Sequence, residues 1–192
     1  MGLTPFDFTS HSLLGRMEIR HSSIEGTGVF AAYSFGKGDT LLKIDDSRVV
    51  DEQHPLGSTE DPRHCDYLRA GKVILMQIPE RYISHSCEPN TYVKTVDGIR
   101  VVIALRPIAA GEEITYDYCI NGDGDTVWVC HCGAVRCRSV IHSDFFHLPL
   151  DLQREYLPLL DEWFRQERAT EVERLVRGAE TQGRAENKDS KR

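Results

Sequence analysis

Six cysteines stand at positions 65, 87, 119, 130, 132 and 137, and four of them are spaced to do chemistry together. Cys130, Cys132 and Cys137 fall in one run, Cys130-His-Cys-Gly-Ala-Val-Arg-Cys137, while Cys87 lies upstream in Ser84-His-Ser-Cys-Glu-Pro-Asn90. Thiols this crowded cannot all close disulfides of good geometry, whereas four thiolates can surround one tetrahedral zinc. Gly133 lets the backbone wrap a metal, and a structural zinc contributes about 10–16 kcal/mol of apparent binding energy to the segment it folds. The plainer reading is a set of incidental buried thiols, against which three cysteines within eight residues weigh heavily. His85 and His131 are further candidate ligands, although a lone histidine more commonly serves as a hydrogen-bonded structural residue. Cys65 and Cys119 have no partner at ligand spacing and are expected as small hydrophobes.

A second place of chemical interest is Glu25-Gly-Thr-Gly28. A turn with exposed backbone N–H groups suits a carboxylate or similar ligand end. By itself it is equally a tight corner, and it lacks the strand, glycine loop and helix of a dinucleotide site.

The elements that must position these residues are short. Alternation over residues 16–20, then 29–32 and 40–44, reads as three strands, with turns at 25–28 and 35–39. Residues 45–66 are polar, hold Pro55, Gly57 and Pro62, and read as a loop region. An apolar strand is expected over 72–78, and a hairpin over 91–105 turning at Asp97-Gly98. Residues 113–118 read as another strand after a Gly/Pro turn at 107–111. Helical spacing arrives only after Pro149, through Tyr156, and resumes after Pro158 with Leu160, Trp163, Phe164, Val172, Leu175 and Val176. The first half of this pattern is expected to pack on the body and the second to reach solvent or a partner. The fold class is therefore mainly β with a C-terminal helix.

Length and composition bound the function. At 192 residues, 40% hydrophobic and 28% charged, the chain suits one domain with a real core. No apolar stretch reaches the roughly 20 residues of a membrane span, so no membrane partner is expected. The first residues lack a secretory pattern and match a myristoylation motif poorly, so clustered thiols point to a reducing cytoplasmic or nuclear setting. Net charge is −7, and residues 1–160 carry all of the imbalance, with 22 acidic against 15 basic residues. Such a surface disfavours direct nucleic-acid binding and attracts basic peptides, although it also serves plain solubility.

Taken in order, four blocks resemble the SET-domain family of protein-lysine methyltransferases. They are Gly26-Thr-Gly-Val-Phe-Ala31, Arg81-Tyr-Ile-Ser-His-Ser-Cys-Glu-Pro-Asn90, Ala110-Gly-Glu-Glu-Ile-Thr-Tyr-Asp-Tyr118 and the run over residues 130–137 that matches the family's post-SET cysteines. The tail, with Asp144-Phe-Phe146 and residues 152–160, resembles small stand-alone members. The resemblance implies a SET fold of small β-sheets with knot-like threading. It implies a SET domain over residues 15–120 and a post-SET zinc segment over 121–147; helical spacing gives a helical extension over 148–178, and the uniformly polar residues 179–192 are expected as a disordered tail.

The same resemblance implies S-adenosyl-L-methionine as methyl donor and zinc as structural metal. Glu25, Gly26, Thr27 and Gly28 would hold the methionine end of the donor, Ser84 and His85 its amine and adenine sides, and Cys87, Cys130, Cys132 and Cys137 the zinc. Tyr118 would stand at the point of methyl transfer and Tyr116 would line the lysine channel. The partner implied is a basic protein or peptide presenting a lysine. Neutralising that lysine at pH 7, from a pKa near 10.4, costs about 4.6 kcal/mol, which an apolar channel and a neighbouring positive charge offset. Tyrosine rather than phenylalanine at 116 implies mono- or dimethylation. Tyr67 is a looser channel candidate, with an ordinary packing role expected.

Departures from the family pattern are Ser84, where asparagine is usual, and Ser139, where glycine is usual. Serine offers fewer hydrogen bonds than an amide. No cysteine-rich cluster precedes residue 15, so the separate zinc domain of some members is not expected. Two alternatives follow from Ser84 and from the helix: a catalytically weak module binding basic peptides, and a zinc-stabilised interaction module working through its C-terminal helix.

Overall fold

The computed structural model describes residues 15–178; the tail expected over 179–192 and the N-terminal residues 1–14 lie outside the described residues. The chain forms two compact units. One comprises residues up to Asp117 together with His131–Cys137, and the other Tyr118–Cys130 together with residues from Arg138 onward.

The first unit is built of three small sheets. Strands β1 (Met17–His21) and β2 (Thr27–Ala31) form an antiparallel pair. Strands β4 (Val49–Val50), β5 (Cys65–Leu68) and β6 (Lys72–Leu75) form a three-stranded sheet in the order β4-β6-β5. The largest sheet takes β3 (Thr40–Lys43), β7 (Ser84–His85), β8 (Thr91–Val96), β9 (Ile99–Ala104) and β10 (Thr115–Tyr116) in the order β3-β9-β8-β10-β7. Here β10 runs parallel to both its neighbours, β7 and β8, and sits between them. The β8–β9 hairpin turns where expected, with Asp97 at φ 50° and Gly98 at φ 79°, the pair of left-handed residues that matches the twist of flanking strands.

Met17, Val29, Leu41, Leu42, Ile44, Ile83, Val102, Ala104, Ile108 and Ile114 pack as one core, with Tyr82, Val93 and Tyr116 against it. At about 1.5–3 kcal/mol for each fully buried aliphatic side chain, this cluster is the main source of stability in the unit. A buried charge adds specificity. Arg100 on β9, 8% exposed, is ringed by Asp46, Asp66 and Glu80 at 3.0, 2.6 and 3.3 Å. It ties the polar segment after β3 to the large sheet.

The loop expected over residues 45–66 is more ordered than its composition implies. Val49 and Val50 pair with Ile74 and Val73, and β5 begins at Cys65. Conversely, only Thr115 and Tyr116 are strand in the expected stretch 113–118.

The second unit holds an antiparallel pair, β11 (Val127–Val129) with β12 (Val140–His142), followed by helices. Helix α1 (Leu150–Tyr156) starts after Pro149, α2 (Glu162–Glu167) follows Asp161, and a third helix, α3, covers 169–178. Phe145 and Phe164 are fully buried and meet edge to face at 5.8 Å. The expectation that the second half of the pattern reaches solvent is corrected: Val172 is 7% and Leu175 5% exposed, and only Val176, at 36%, shows on the surface. Their spacing puts Val172 and Leu175 on one helical face, so the same periodicity that hinted at a free arm serves burial. Among the described residues no helix is long and apolar enough to cross a membrane.

Candidate active site and metal centre

The turn between β1 and β2 is shaped by Ser22, which is buried. Its Oγ accepts from the Ile24 amide at 2.9 Å and the Glu25 amide at 3.4 Å, while its own amide donates to the Gly26 carbonyl at 3.0 Å. Glu25, Gly26 and Thr27 are exposed. Gly26 takes φ +46°, and no atom lies within 4 Å of where a Cβ would stand. Open space beside Gly26 in an exposed turn leaves room for the end of a small ligand.

Parallel pairing then brings the second and third sequence blocks side by side. Thr115 faces Ser84 and Tyr116 faces His85. Ser84 is buried and donates through Oγ to Glu113 Oε1 at 2.9 Å, and Ser22 Oγ donates to the same oxygen at 2.7 Å. Asn90, 1% exposed, holds β10 in place: it donates to the Glu113 carbonyl at 2.7 Å and accepts from the Thr115 amide at 2.8 Å. It also donates to Glu112 Oε1 at 3.0 Å. Burial works to raise the Glu112 carboxyl, but Arg106, Asn90 and the Ala109 amide outweigh it, and its pKa is lowered.

Tyr116 is half-buried, and its hydroxyl lies 4.0 Å from Met76 Sδ. Tyr118 is 40% exposed, with its ring 6.2 Å from that of Trp128 and tilted by 47°. Tyr67 is 71% exposed on β5, which corrects the expectation of an ordinary packing role. On this four-residue strand Tyr67 alone is exposed, its neighbours being half-buried, so its ring points away from the side that packs.

The thiols of Cys87, Cys130, Cys132 and Cys137 all lie within 4.8 Å of one another. Tetrahedral zinc with Zn–S near 2.3 Å wants sulfurs about 3.8 Å apart, so the cluster needs only a small inward adjustment to enclose the ion. Cys87 and Cys130 are buried, and the Cys87 amide donates to Cys132 Sγ at 3.5 Å, a bond that favours thiolate. The donor set is all sulfur and its fit is to zinc. Glu88 closes the loop from outside: it accepts from the Arg136 amide at 3.1 Å and from Arg136 Nε at 3.2 Å, and these bonds hold its carboxyl below the usual range.

His85, a candidate ligand, is placed beside the cluster rather than in it. Its Nε2 is 3.5 Å from Cys87 Sγ and its Nδ1 3.7 Å from the buried Asp117. His131 is exposed. Cys65 and Cys119 stand outside the cluster; Cys119 is fully buried and donates to the His142 carbonyl at 3.1 Å. Burial pushes the Cys65 thiol up, the opposite of what a ligand requires.

Sequence reasoning gave no role to Glu113, Asn90, Ser22 or Asp117. Glu113 and Asn90 sit inside quoted motifs, but a polar residue within a strand or turn pattern carries no mark of what it will bond to.

A family model described as SET domain matches residues 26–119. The trithorax histone-lysine N-methyltransferase of Drosophila virilis is 35% identical over 113 residues, 57% of this chain and 2% of that protein. Histone-lysine N-methyltransferase TRX1 of Oryza sativa subsp. japonica is 31% identical over 148 residues, 67% of this chain and 14% of that protein. The chain thus spans a small fraction of the length of these relatives. Among solved structures, that of KRYPTONITE in complex with mCHG DNA and SAH superposes with a TM-score of 0.50 at 21% identity, over 65% of this chain and 28% of that one, a likeness of fold.

Proposed function

We propose that this chain, which belongs to the SET-domain family, is an S-adenosylmethionine-dependent protein-lysine N-methyltransferase. The observation that carries this reading is the register of β10 on β7, which sets Tyr116 beside His85 and Thr115 beside Ser84. It brings the residues matching the family's donor-binding and tyrosine motifs onto adjacent strands of one sheet.

S-adenosylmethionine, when bound, supplies an electrophilic methyl group on a positively charged sulfur. The turn at Glu25, Gly26, Thr27 and Gly28 would hold its carboxylate end, and Ser84 and His85 would flank its amine and adenine sides. The Tyr118 hydroxyl oxygen would orient the methyl group, and Tyr116 would narrow the lysine channel, its hydroxyl obstructing an amine that already carries methyl groups. Cys87, Cys130, Cys132 and Cys137 hold zinc as a structural ion. The substrate is a basic protein or peptide presenting a lysine, drawn by the acidic surface, and the product is mono- or dimethyllysine. That same surface supports the absence of direct nucleic-acid binding, and the setting is nuclear or cytoplasmic. The SET domain over 15–120, the zinc segment over 121–147 and the helical extension over 148–178 remain the working boundaries.

Transfer of labelled methyl groups to a proteome array tests the reading, with wild type giving lysine labelling that Tyr118→Phe cuts about 100-fold. One observation favours a second reading, a catalytically weak module that binds basic peptides: Ser84 replaces an amide, and its hydroxyl is held by Glu113. Wild type that binds cofactor and labels no lysine protein would decide for the module.

A further inference from the structure

One carboxylate oxygen sits at the meeting of three segments. Glu113 Oε1 accepts from Ser22 Oγ at 2.7 Å and from Ser84 Oγ at 2.9 Å. It also fills the space over Gly28, where a Cβ would lie 2.3 Å from Oε1 and 2.9 Å from Ser22 Cβ. Its own backbone is fixed on both sides. Phe30 bridges to Glu113, the Ile114 amide donates to the Val29 carbonyl at 2.7 Å, and Asn90 donates to the Glu113 carbonyl at 2.7 Å. The carboxylate therefore has a rigid base and two hydroxyl donors, and one of those donors shapes the turn that carries Glu25 and Gly26.

We infer that Glu113 is the positioning residue of the cofactor site, and that Ser84, on the amine side, serves that site chiefly through its bond to Glu113. The inference rests on the reading under Proposed function. A serine hydroxyl has one proton to donate. Ser84 gives it to Glu113 and offers a ligand only its lone pairs, whereas an asparagine in its place would bring two amide protons and an acceptor. The turn that carries Glu25 and Gly26 is held by Glu113 through Ser22, whose Oγ takes the Ile24 and Glu25 amides. Amides held in place before the ligand arrives bind more tightly than amides that must be ordered by it.

Calorimetric titration of the zinc-loaded full chain with S-adenosylhomocysteine tests this. Glu113→Ala is expected to weaken binding roughly tenfold, because the turn that Ser22 shapes must then be ordered by the ligand. Glu113→Gln, which keeps an acceptor oxygen, should recover most of that loss. Ser84→Ala should weaken binding less than Glu113→Ala, and adding it to Glu113→Ala should weaken binding no further, because the two act as one unit. In turnover, the KM for S-adenosylmethionine should rise while the KM for a lysine peptide holds, a split that general loosening of the fold would not give. Additive losses from Ser84→Ala and Glu113→Ala would overturn the inference, as would unchanged binding by Glu113→Ala. Should Glu113→Ala not fold, Ser22→Ala carries the test: several-fold weaker binding is expected, and wild-type affinity overturns the inference. Wild type that binds no S-adenosylhomocysteine would instead overturn the methyltransferase reading itself.

Discussion

The Cys130 amide donates to the Ser139 carbonyl at 2.8 Å, and Ser139 makes that bond from a left-handed backbone, φ 64°. A side chain in this conformation costs about 1–2 kcal/mol, which is the physical reason the family favours glycine here. Ser139→Gly is therefore expected to stabilise the protein by roughly 1 kcal/mol, part of the gain being offset by the freer unfolded chain. Differential scanning calorimetry should show a rise of about 2–4 °C. No rise would mean that the strain is relieved elsewhere.

Zinc should be present at one ion per chain, and chelation should lower the melting temperature and open residues 130–137 to proteolysis. Cys132→Ser should lose the ion. Cys65→Ser should keep it, since Cys65 stands outside the cluster and its thiol is pushed up by burial. Elemental analysis of the three proteins separates these outcomes.

Stability should fall as pH rises through neutrality. Glu80 is 2% exposed, and burial pushes its carboxyl up from 4.5 to about 8, with Arg100 pulling the other way. The folded chain thus keeps a proton that the unfolded chain sheds. The contribution is fully present below the unfolded value and is lost as pH approaches the folded one. Asp46 and Asp66 share Arg100 and repel a charged Glu80, which deepens the effect. Between about pH 5 and 8 the expected loss is on the order of a few kcal/mol by linkage. Glu80→Gln should flatten that slope in urea titrations. Glu60 and Asp61, held near about 2 chiefly by side-chain bonds from Arg48 and Arg63, matter only in more acid solution.

Tyr116→Phe should move the product toward higher methylation. On the channel role proposed for Tyr116, removing the hydroxyl that lies beside Met76 leaves room for a bulkier amine. Mass spectrometry of a lysine peptide over time reads the change. Wild type giving trimethyllysine from the start would refute the role given to Tyr116. Tyr118→Phe should cost about 100-fold in kcat, the usual penalty for losing one transition-state polar contact.

Much of this arrangement was legible in the chain. Alternation and Asp97-Gly98 gave the β8–β9 hairpin, and cysteine spacing gave the cluster of Cys87, Cys130, Cys132 and Cys137. Two kinds of feature were not legible. Short edge strands such as Val49-Val50 owe their form to a partner, Ile74 and Val73, and carry no period of their own. Polar residues that bond across the chain, Glu113 with Ser22 or Asn90 with Thr115, reveal their partners only once β10 has been slotted between β7 and β8. Val172 and Leu175 show a third case, where the pattern was visible and its destination was not.

The place of β10 also sets an order of assembly. Among the described residues β7 pairs in the large sheet with β10, so the strand bonds of Ser84 and His85 form only after Thr115 and Tyr116 have been synthesised. The β7–β10 pair therefore closes late in synthesis, after the β8–β9 hairpin that lies between its strands in the chain. Truncation before that stretch would remove β10 while sparing the β8–β9 hairpin, so a shortened product is expected to keep the hairpin and lose methyl transfer.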